Sequence, residues 1–285
     1  MDKAAKNELY ILKIKCPDQK GLIYKITSVL YENQFNIVEN DEFVDPDCHV
    51  FFMRTCFQGF IKNKKKLIKT LEANIPDNSE IQLLPRSKKK IIIFATRETH
   101  CLGDLLLRCS SGEMEAEIAA VIANHKNLQY LTEKFNVPFH YIPVNDLTRP
   151  EHEKKVLNTL NIYAFDYIVL AKYMRILSSL IIDRFPGRII NIHHSFLPAF
   201  SGARPYKQAF NRGVKIIGAT AHFATVELDS GPIIQQNVIS VNHSHSAADM
   251  ARAGKNIEKI TLAQALELVF KQRVFVHRNK TVIFS

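Results

Sequence analysis

"KIIIFAT", Lys90 to Thr96, is the stretch on which the fold depends. Ile91 to Ala95 are all apolar, with no polar residue on either side of the pleat. A half-exposed strand alternates; a strand without alternation is buried on both faces, as in a parallel sheet. Further runs of this kind follow: "IAAVIAN" (118–124), "PFHYIPV" (138–144), "DYIVLA" (166–171), "RIINIH" (188–193) and "KIIGATAHF" (215–223). Helical stretches separate most of them, among them "HKNLQYLTEKF" (125–135) and "PEHEKKVLNTLNI" (150–162). That alternation predicts a wound α/β sheet. "SAADMARAGKNIEKITLAQALELVFKQR" (246–273) predicts a long helix, and "VFVHRNKTVIF" (274–284) a terminal hairpin around Arg278 and Asn279.

Upstream, the pattern changes. "ELYILKIKC" (8–16) alternates, "PDQKG" (17–21) breaks it, and the next segment places Leu22, Ile26, Val29 and Leu30 at helical spacing. "NIVENDEFV" (36–44) and "HVFFMRTCF" (49–57) read as strands around the turn "DPDC". "KKLIKTLEAN" (65–74) is a short amphipathic helix and "EIQLL" (80–84) a last strand. The order is βαββαβ, the ferredoxin-like or split βαβ arrangement. "PRSKKK" (85–90), a breaker followed by charge, reads as a linker. Two domains are expected, residues 1–86 with the linker and residues 87–285.

Composition narrows the class. The chain has 285 residues, 46% of them hydrophobic, which is enough for packed cores and excludes wholesale disorder. No apolar run approaches the roughly eighteen residues of a membrane span, so no membrane is expected as a partner. "MDKAAKNELYILKIKC" has no long apolar core and no small-residue cleavage site, and so reads as no signal peptide. Five cysteines, Cys16, Cys48, Cys56, Cys101 and Cys109, include no CxxC pair and fit reduced thiols in a cytoplasmic protein. The net charge is +10. Residues 1–86 carry 13 Lys and Arg against 12 Asp and Glu; the rest carry 25 against 16, an excess of +9. Solubility alone accounts for such an excess, and a positive cleft for a small anionic substrate accounts for it more sharply. The basic residues are scattered, with no zinc-finger or RNP-like motif, so nucleic acid is not expected as a partner.

Three strand ends carry candidate chemistry. In "RIINIHHSFLP" (188–198) strand alternation puts Asn191 and His193 on one face and His194 on the other. Beyond the carboxyl end of a strand, an amide and an imidazole can polarise a carbonyl and move a proton. The same residues serve equally as a strand cap bonded to the following loop. In "KIIGATAHFATVELDSGPII" a strand ending near His222 runs into a loop carrying Asp229, whose carboxylate can hold an imidazole tautomer or take a proton. A turn-forming Asp before Ser-Gly is the simpler account when that segment stands alone. "LAKYMRILS" (170–178) places Met174 and Arg175 where a flat aromatic ligand or an anion would lie; alone, it reads more simply as the start of a helix. No HExxH and no Cys/His quartet is present, so no metal is expected. Ser195 lacks a GxSxG elbow, and no GxGxxG follows the first strand of the second domain.

These segments also carry a resemblance. "FDYIVLAKYMRILS" and "NIHHSFLPAFSGARPYKQAFNRGVKIIGATAHFATVELDSGPIIQQ" resemble the formyltransferase catalytic domain, and within it the formyltetrahydrofolate deformylases. "CPDQKGLIYKIT" and "NIVENDEFVDPDCHVFFMRT" look like the amino-terminal ACT module of those deformylases. The resemblance spans about Leu9 to Phe284. It implies an ACT domain followed by a Rossmann-like formyltransferase domain. It implies hydrolysis of formyltetrahydrofolate to tetrahydrofolate and formate, feeding one-carbon and purine metabolism, with no metal or organic cofactor. Asn191, His193 and Asp229 would form the catalytic set, with His194 and His222 in support. Met174, Arg175, Leu177 and Thr225 would contact the folate, several through backbone groups. The module implies homo-oligomers and an amino-acid effector, such as glycine or methionine, near Asp18, Gly21 and Leu22; an assembly-only role is the alternative.

Two departures separate the relatives. Glycinamide ribonucleotide formyltransferases carry a Gly-rich phosphate loop where this chain has "FATRETHCLGDLL", and typically a proline at the position of His194. Both favour water over an amine as formyl acceptor. Methionyl-tRNA formyltransferases usually append an RNA-binding domain for which this chain leaves no room. Formyl transfer to a small amine, and a non-catalytic folate binder, remain as alternatives.

Overall fold

Alternation in "LYILKIKCP" builds the first strand, β1 (Leu9–Pro17). The computed structural model describes residues 8–145, 147–198 and 205–284, and the chain divides into two units. The segment used to argue against a signal peptide lies partly in residues 1–7, outside the described residues, as does most of the "PAFSGAR" loop.

In the first unit β1 is followed by α1 (Leu22–Glu32), β2 (Asn36–Asp45), β3 (Val50–Gln58), α2 (Lys64–Glu72) and β4 (Glu80–Pro85). The sheet order is β2-β3-β1-β4, and every neighbouring pair is antiparallel. Gly21 begins α1 at φ +84°, a left-handed conformation that costs glycine little. Leu22, Ile26, Val29 and Leu30 of α1, with Leu67 and Leu71 of α2, pack on Leu12, Ile14, Phe51, Met53 and Phe57. Each such side chain contributes about 1.5–3 kcal/mol by leaving water.

The other face of that sheet carries Lys13 and Arg54, directly opposite one another across β1 and β3. Both are buried. Residues 271–275 belong to this unit and cover them: Lys13 donates to the Val274 carbonyl at 2.7 Å and Arg54 to that of Lys271 at 3.1 Å. The first unit runs to Ser87 and takes up residues 271–275 again, a return that a single boundary after residue 86 does not include.

The second unit contains β5 (Lys89–Ala95), α3 (Thr99–Ser111), β6 (Ala116–Ala123), α4 (Gln129–Glu133), β7 (Phe139–Tyr141), α5 (Arg149–Leu160), β8 (Tyr167–Leu170), α6 (Ser179–Ile182), β9 (Ile189–His193), α7 (Pro205–Arg212), β10 (Ile216–Phe223), β11 (Ile233–Ser240) and α8 (Ala247–Phe270). A hairpin, β12 (Val274–His277) and β13 (Lys280–Ile283), ends the chain. The sheet order is β11-β10-β9-β8-β5-β6-β7. Strands β9-β8-β5-β6-β7 are parallel, and Ile91 to Ala95 at the centre are wholly buried. Strands β10 and β11 extend the sheet as an antiparallel hairpin, so the sheet is mixed. β11 was not expected as a strand: its "IIQQNVIS" sequence, with central amides, is half exposed at the sheet edge. The chain winds one way from β5 to β7 and restarts at β8 on the other side of β5, which puts a switch point between β5 and β8.

Candidate active site

The candidate chemistry collects at the carboxyl ends of β8 and β9, beside that switch point. β9 pairs antiparallel with β10, so Asn191 lies opposite His222 and His193 opposite Thr220. These four side chains share one face. His222 Nδ1 lies 2.9 Å from the Phe223 carbonyl, and its Nε2 lies 3.2 Å from Asn191 Nδ2. A carbonyl only accepts, so Nδ1 carries the proton. In the neutral ring Nε2 then accepts from the Asn191 amide, which fixes the orientation of that amide.

Asp229 reaches the same face from the β10–β11 loop. Its Oδ2 is 3.2 Å from His193 Nδ1 and its Oδ1 is 3.7 Å from His222 Nε2. The backbone achieves this by placing Asp229 at φ +55° and doubling back at Gly231. A Cβ on Gly231 would sit 1.8 Å from the Phe223 carbonyl oxygen, and Phe223 N–H donates to the Pro232 carbonyl at 3.0 Å. Burial on its own would raise the Asp229 pKa. The hydrogen bond and charge of His193, with those of the His222 ring in its protonated form, outweigh it and hold the carboxyl well below the usual carboxylate range. Asp229 is thus anionic at neutral pH. His193 is 5% exposed, and its Nε2 has no partner among the described residues.

His194 departs from the expected arrangement. β9 ends at His193, so strand alternation does not extend to the next residue. The His194 ring stacks on His193, centroids 5.0 Å apart and planes 28° apart, and lines the same cavity rather than pointing away. Burial, with the nearby Lys172 and His193, lowers its pKa to about 4, so the ring is neutral near pH 7. The loop after it is tied down by Thr220, which donates to the Ser195 carbonyl at 2.9 Å and accepts from Leu197 N–H at 3.0 Å.

A cavity of about 310 Å³ opens onto this face. Asn191, His193, His194, His222 and Asp229 form its polar side. Leu170, Leu177, Ile182, Val226 and Leu228 form much of its apolar side. All four residues proposed from the sequence as folate contacts, Met174, Arg175, Leu177 and Thr225, line it. The segment after β8 is held in place: Met174 N–H donates to Thr96 Oγ1 at 3.0 Å, Arg149 to the Ile176 carbonyl at 2.8 Å, and Ser178 N–H to Glu153 at 2.8 Å.

Comparison with known proteins points to one family. A formyl transferase family model matches residues 89–266, inside the second unit. A formyltetrahydrofolate deformylase of Haemophilus influenzae is 52% identical over 97% of this chain and 99% of that protein. Another, of Escherichia coli strain K12, is 52% identical over 96% of this chain and 97% of that protein. The crystal structure of a formyltetrahydrofolate deformylase from Pseudomonas syringae superposes with a TM-score of 0.93 at 37% identity, covering 98% of this chain and 95% of that one. The chain belongs to the formyltetrahydrofolate deformylase family.

In this deformylase-family chain the structure adds residues that the sequence did not single out. Lys172 and Tyr173 line the cavity from within the segment already under suspicion. Glu258 lies behind it, and its signal was legible as a lone carboxylate on the apolar stripe of α8, in register with Met250, Gly254, Leu262 and Leu266. Its Oε2 lies 2.7 Å from His100 Nε2 and 3.3 Å from Lys172 Nζ, while Tyr206 donates to its Oε1 at 2.6 Å. Burial would raise its pKa; His100, Lys172 and Tyr206 bring it down to about 2. His100, Cys101 and Glu258 are close enough to hold an ion. The donor set argues against one, because an ammonium already occupies Glu258 and burial pushes the Cys101 thiol up, keeping it protonated. Leu22, one of the proposed effector contacts, is 2% exposed and buried in the first unit's core, leaving only its backbone for a ligand. Asp18 N–H donates to the His49 carbonyl at 2.8 Å. No helix among the described residues is long and apolar enough to cross a membrane.

Proposed function

We propose that this chain hydrolyses 10-formyltetrahydrofolate to tetrahydrofolate and formate, with Asn191, His193 and Asp229 as the catalytic residues. The observation that carries the reading is His193, bonded through Nδ1 to an ionised carboxylate while its buried Nε2 has no described partner beside an oriented amide. Asp229 holds the tautomer with the proton on Nδ1, so Nε2 accepts a proton from water. The water oxygen bonds to the formyl carbon, and the carbonyl oxygen takes the negative charge. Asn191 Nδ2–H donates to that oxygen. The C–N10 bond then breaks as His193 returns the proton to N10. Formic acid leaves and ionises to formate, its proton passing to water, and tetrahydrofolate carries the proton that His193 returned. Water, an imidazole and a carboxylate suffice, so the mechanism calls on no metal or organic cofactor.

The folate lies along Met174, Arg175, Leu177 and Thr225, with a face of its ring system against Leu177 and Ile182 and its anionic tail towards Arg175. The first unit acts as an ACT module. Its βαββαβ order and the left-handed turn at Gly21 support that reading, with the effector reached through backbone groups of Asp18, Gly21 and Leu22. Its edge strand β2 exposes Ile37, Val38, Phe43 and Val44, the kind of edge that a second copy covers. Five free cysteines suit a reducing cytoplasm.

One assay tests the proposal: formate and tetrahydrofolate are measured after incubation with 10-formyltetrahydrofolate and no acceptor. Stoichiometric release is expected, with His193→Ala and Asp229→Asn folded and inactive. Near-wild-type release by either variant would remove the assignment. The same assay repeated with glycine and with methionine is expected to show a change in rate, and no response to either leaves the first unit an assembly module.

A further inference from the structure

A buried ion network next to the reacting groups calls for a function. Glu258 is 1% exposed, and an apolar substitute would commonly be at least as stable as a buried ion pair. Its contacts form a circuit behind the polar side of the cavity. His193 stacks on His194, and the His194 ring is 6.5 Å from that of Tyr206. Tyr206 donates to Glu258, Glu258 pairs with Lys172, and Lys172 returns to the cavity wall. The Tyr206 ring lies against the backbone of α8 at Gly254, where an added Cβ would sit 2.1 Å from it. Lys172 is turned inward from a backbone at φ +60°.

We infer that Tyr206 and Lys172 are specificity-determining residues that limit the formyl acceptor to water, that Glu258 is the positioning residue that holds the Lys172 ammonium at the cavity wall, and that the α8 backbone at Gly254 seats the Tyr206 ring. This deepens the hydrolytic reading above and rests on it. An amine attacking the formyl carbon must house its carbon substituents beside His193. Among the described residues, the space behind His194 is filled by the Tyr206 ring. An amine that arrives protonated also meets the Lys172 ammonium, a like charge in a desolvated wall. Water brings neither a substituent nor a charge. When the wall is opened, the amine nitrogen bonds to the formyl carbon, the C–N10 bond breaks and an amine proton goes to N10, giving a formamide in place of formate.

The test is the product ratio with 10-formyltetrahydrofolate and excess glycinamide, a small primary amine. Wild type and Tyr206→Phe, which keeps the ring, are expected to release formate alone. Tyr206→Ala, Lys172→Met and Glu258→Gln are expected to raise the formylglycinamide-to-formate ratio by on the order of tenfold or more. Circular dichroism checks that each variant is folded; should Tyr206→Ala fail to fold, Lys172→Met carries the test. A ratio that stays at the wild-type value in the folded Tyr206→Ala and Lys172→Met proteins overturns the inference. An equal rise in Tyr206→Phe overturns it as well, since the ring would then not be what excludes the amine. Absence of formate from wild type without glycinamide is a separate outcome and counts against hydrolysis itself.

Discussion

The Asn191 amide is fixed by a neighbour whose own proton is already committed. His222 Nδ1 faces a carbonyl, so in the neutral ring Nε2 accepts, and the Asn191 amino group, 3.2 Å away, donates to it. In the neutral ring His222 thus acts through Asn191. Loss of an oxyanion donor costs about a hundredfold to a thousandfold in rate, the fall expected for Asn191→Ala. His222→Leu leaves the donor in place but free to rotate, and is expected to cost about tenfold. Because the two act on one bond, the double variant should be no slower than Asn191→Ala by more than a small factor. Fully multiplicative losses in kcat would show that His222 works independently. Asp229 adds an acid-side signature. Its folded-state pKa is depressed, so its contribution to stability is present above its ordinary value of 3.8 and is lost as pH falls through the lower folded value.

The β10–β11 hairpin shows how an element delivers a residue. Gly231 brings the chain against Phe223, and Asp229 is carried along two residues earlier. Gly231→Ala forces the backbone apart; a destabilisation of about 1–3 kcal/mol and a much larger relative loss of formate release are expected. Thermal melting alongside kcat separates the two, and an active Gly231→Ala protein would mean that Asp229 is held by other contacts. Elements also set the limits of what the sequence shows. The buried run Ile91–Ala95, the α1 spacing and the α8 stripe were legible because burial imposes a period. β11 was not, since an edge strand with central amides presents no strong period. The shared face of Asn191 and His193 followed from alternation, whereas the direction of His194 did not, because the strand ends one residue too soon. The place of Glu258 on the α8 stripe is readable from the sequence, whereas its pairing is not, because its partners His100 and Lys172 are distant along the chain.

At the level of the whole chain, residues 271–275 return to the first unit, an arrangement no local pattern encodes. Lys13 is sealed by that return: it donates to the Val274 carbonyl and lies 4.4 Å from the centre of the Phe275 ring. Burial first, and then the Arg54 charge, lower its pKa from 10.5 to about 8. The sign of the consequence is fixed. Between about pH 8 and 10.5 the unfolded chain holds this proton and the folded chain does not, so stability rises with pH. Below that window both states are protonated, and the burial cost is constant. Across the window the rise is on the order of 3 kcal/mol. Lys13→Met keeps an apolar stem over Phe275 and removes the titration. Urea unfolding followed by far-ultraviolet circular dichroism should show the gap between wild type and Lys13→Met shifting in favour of wild type as pH rises from 8 towards 10.5. Other groups titrate in both proteins and drop out of the difference. A pH-independent gap would mean that Lys13 keeps its ordinary proton affinity, and that residues 271–275 do not seal it from water.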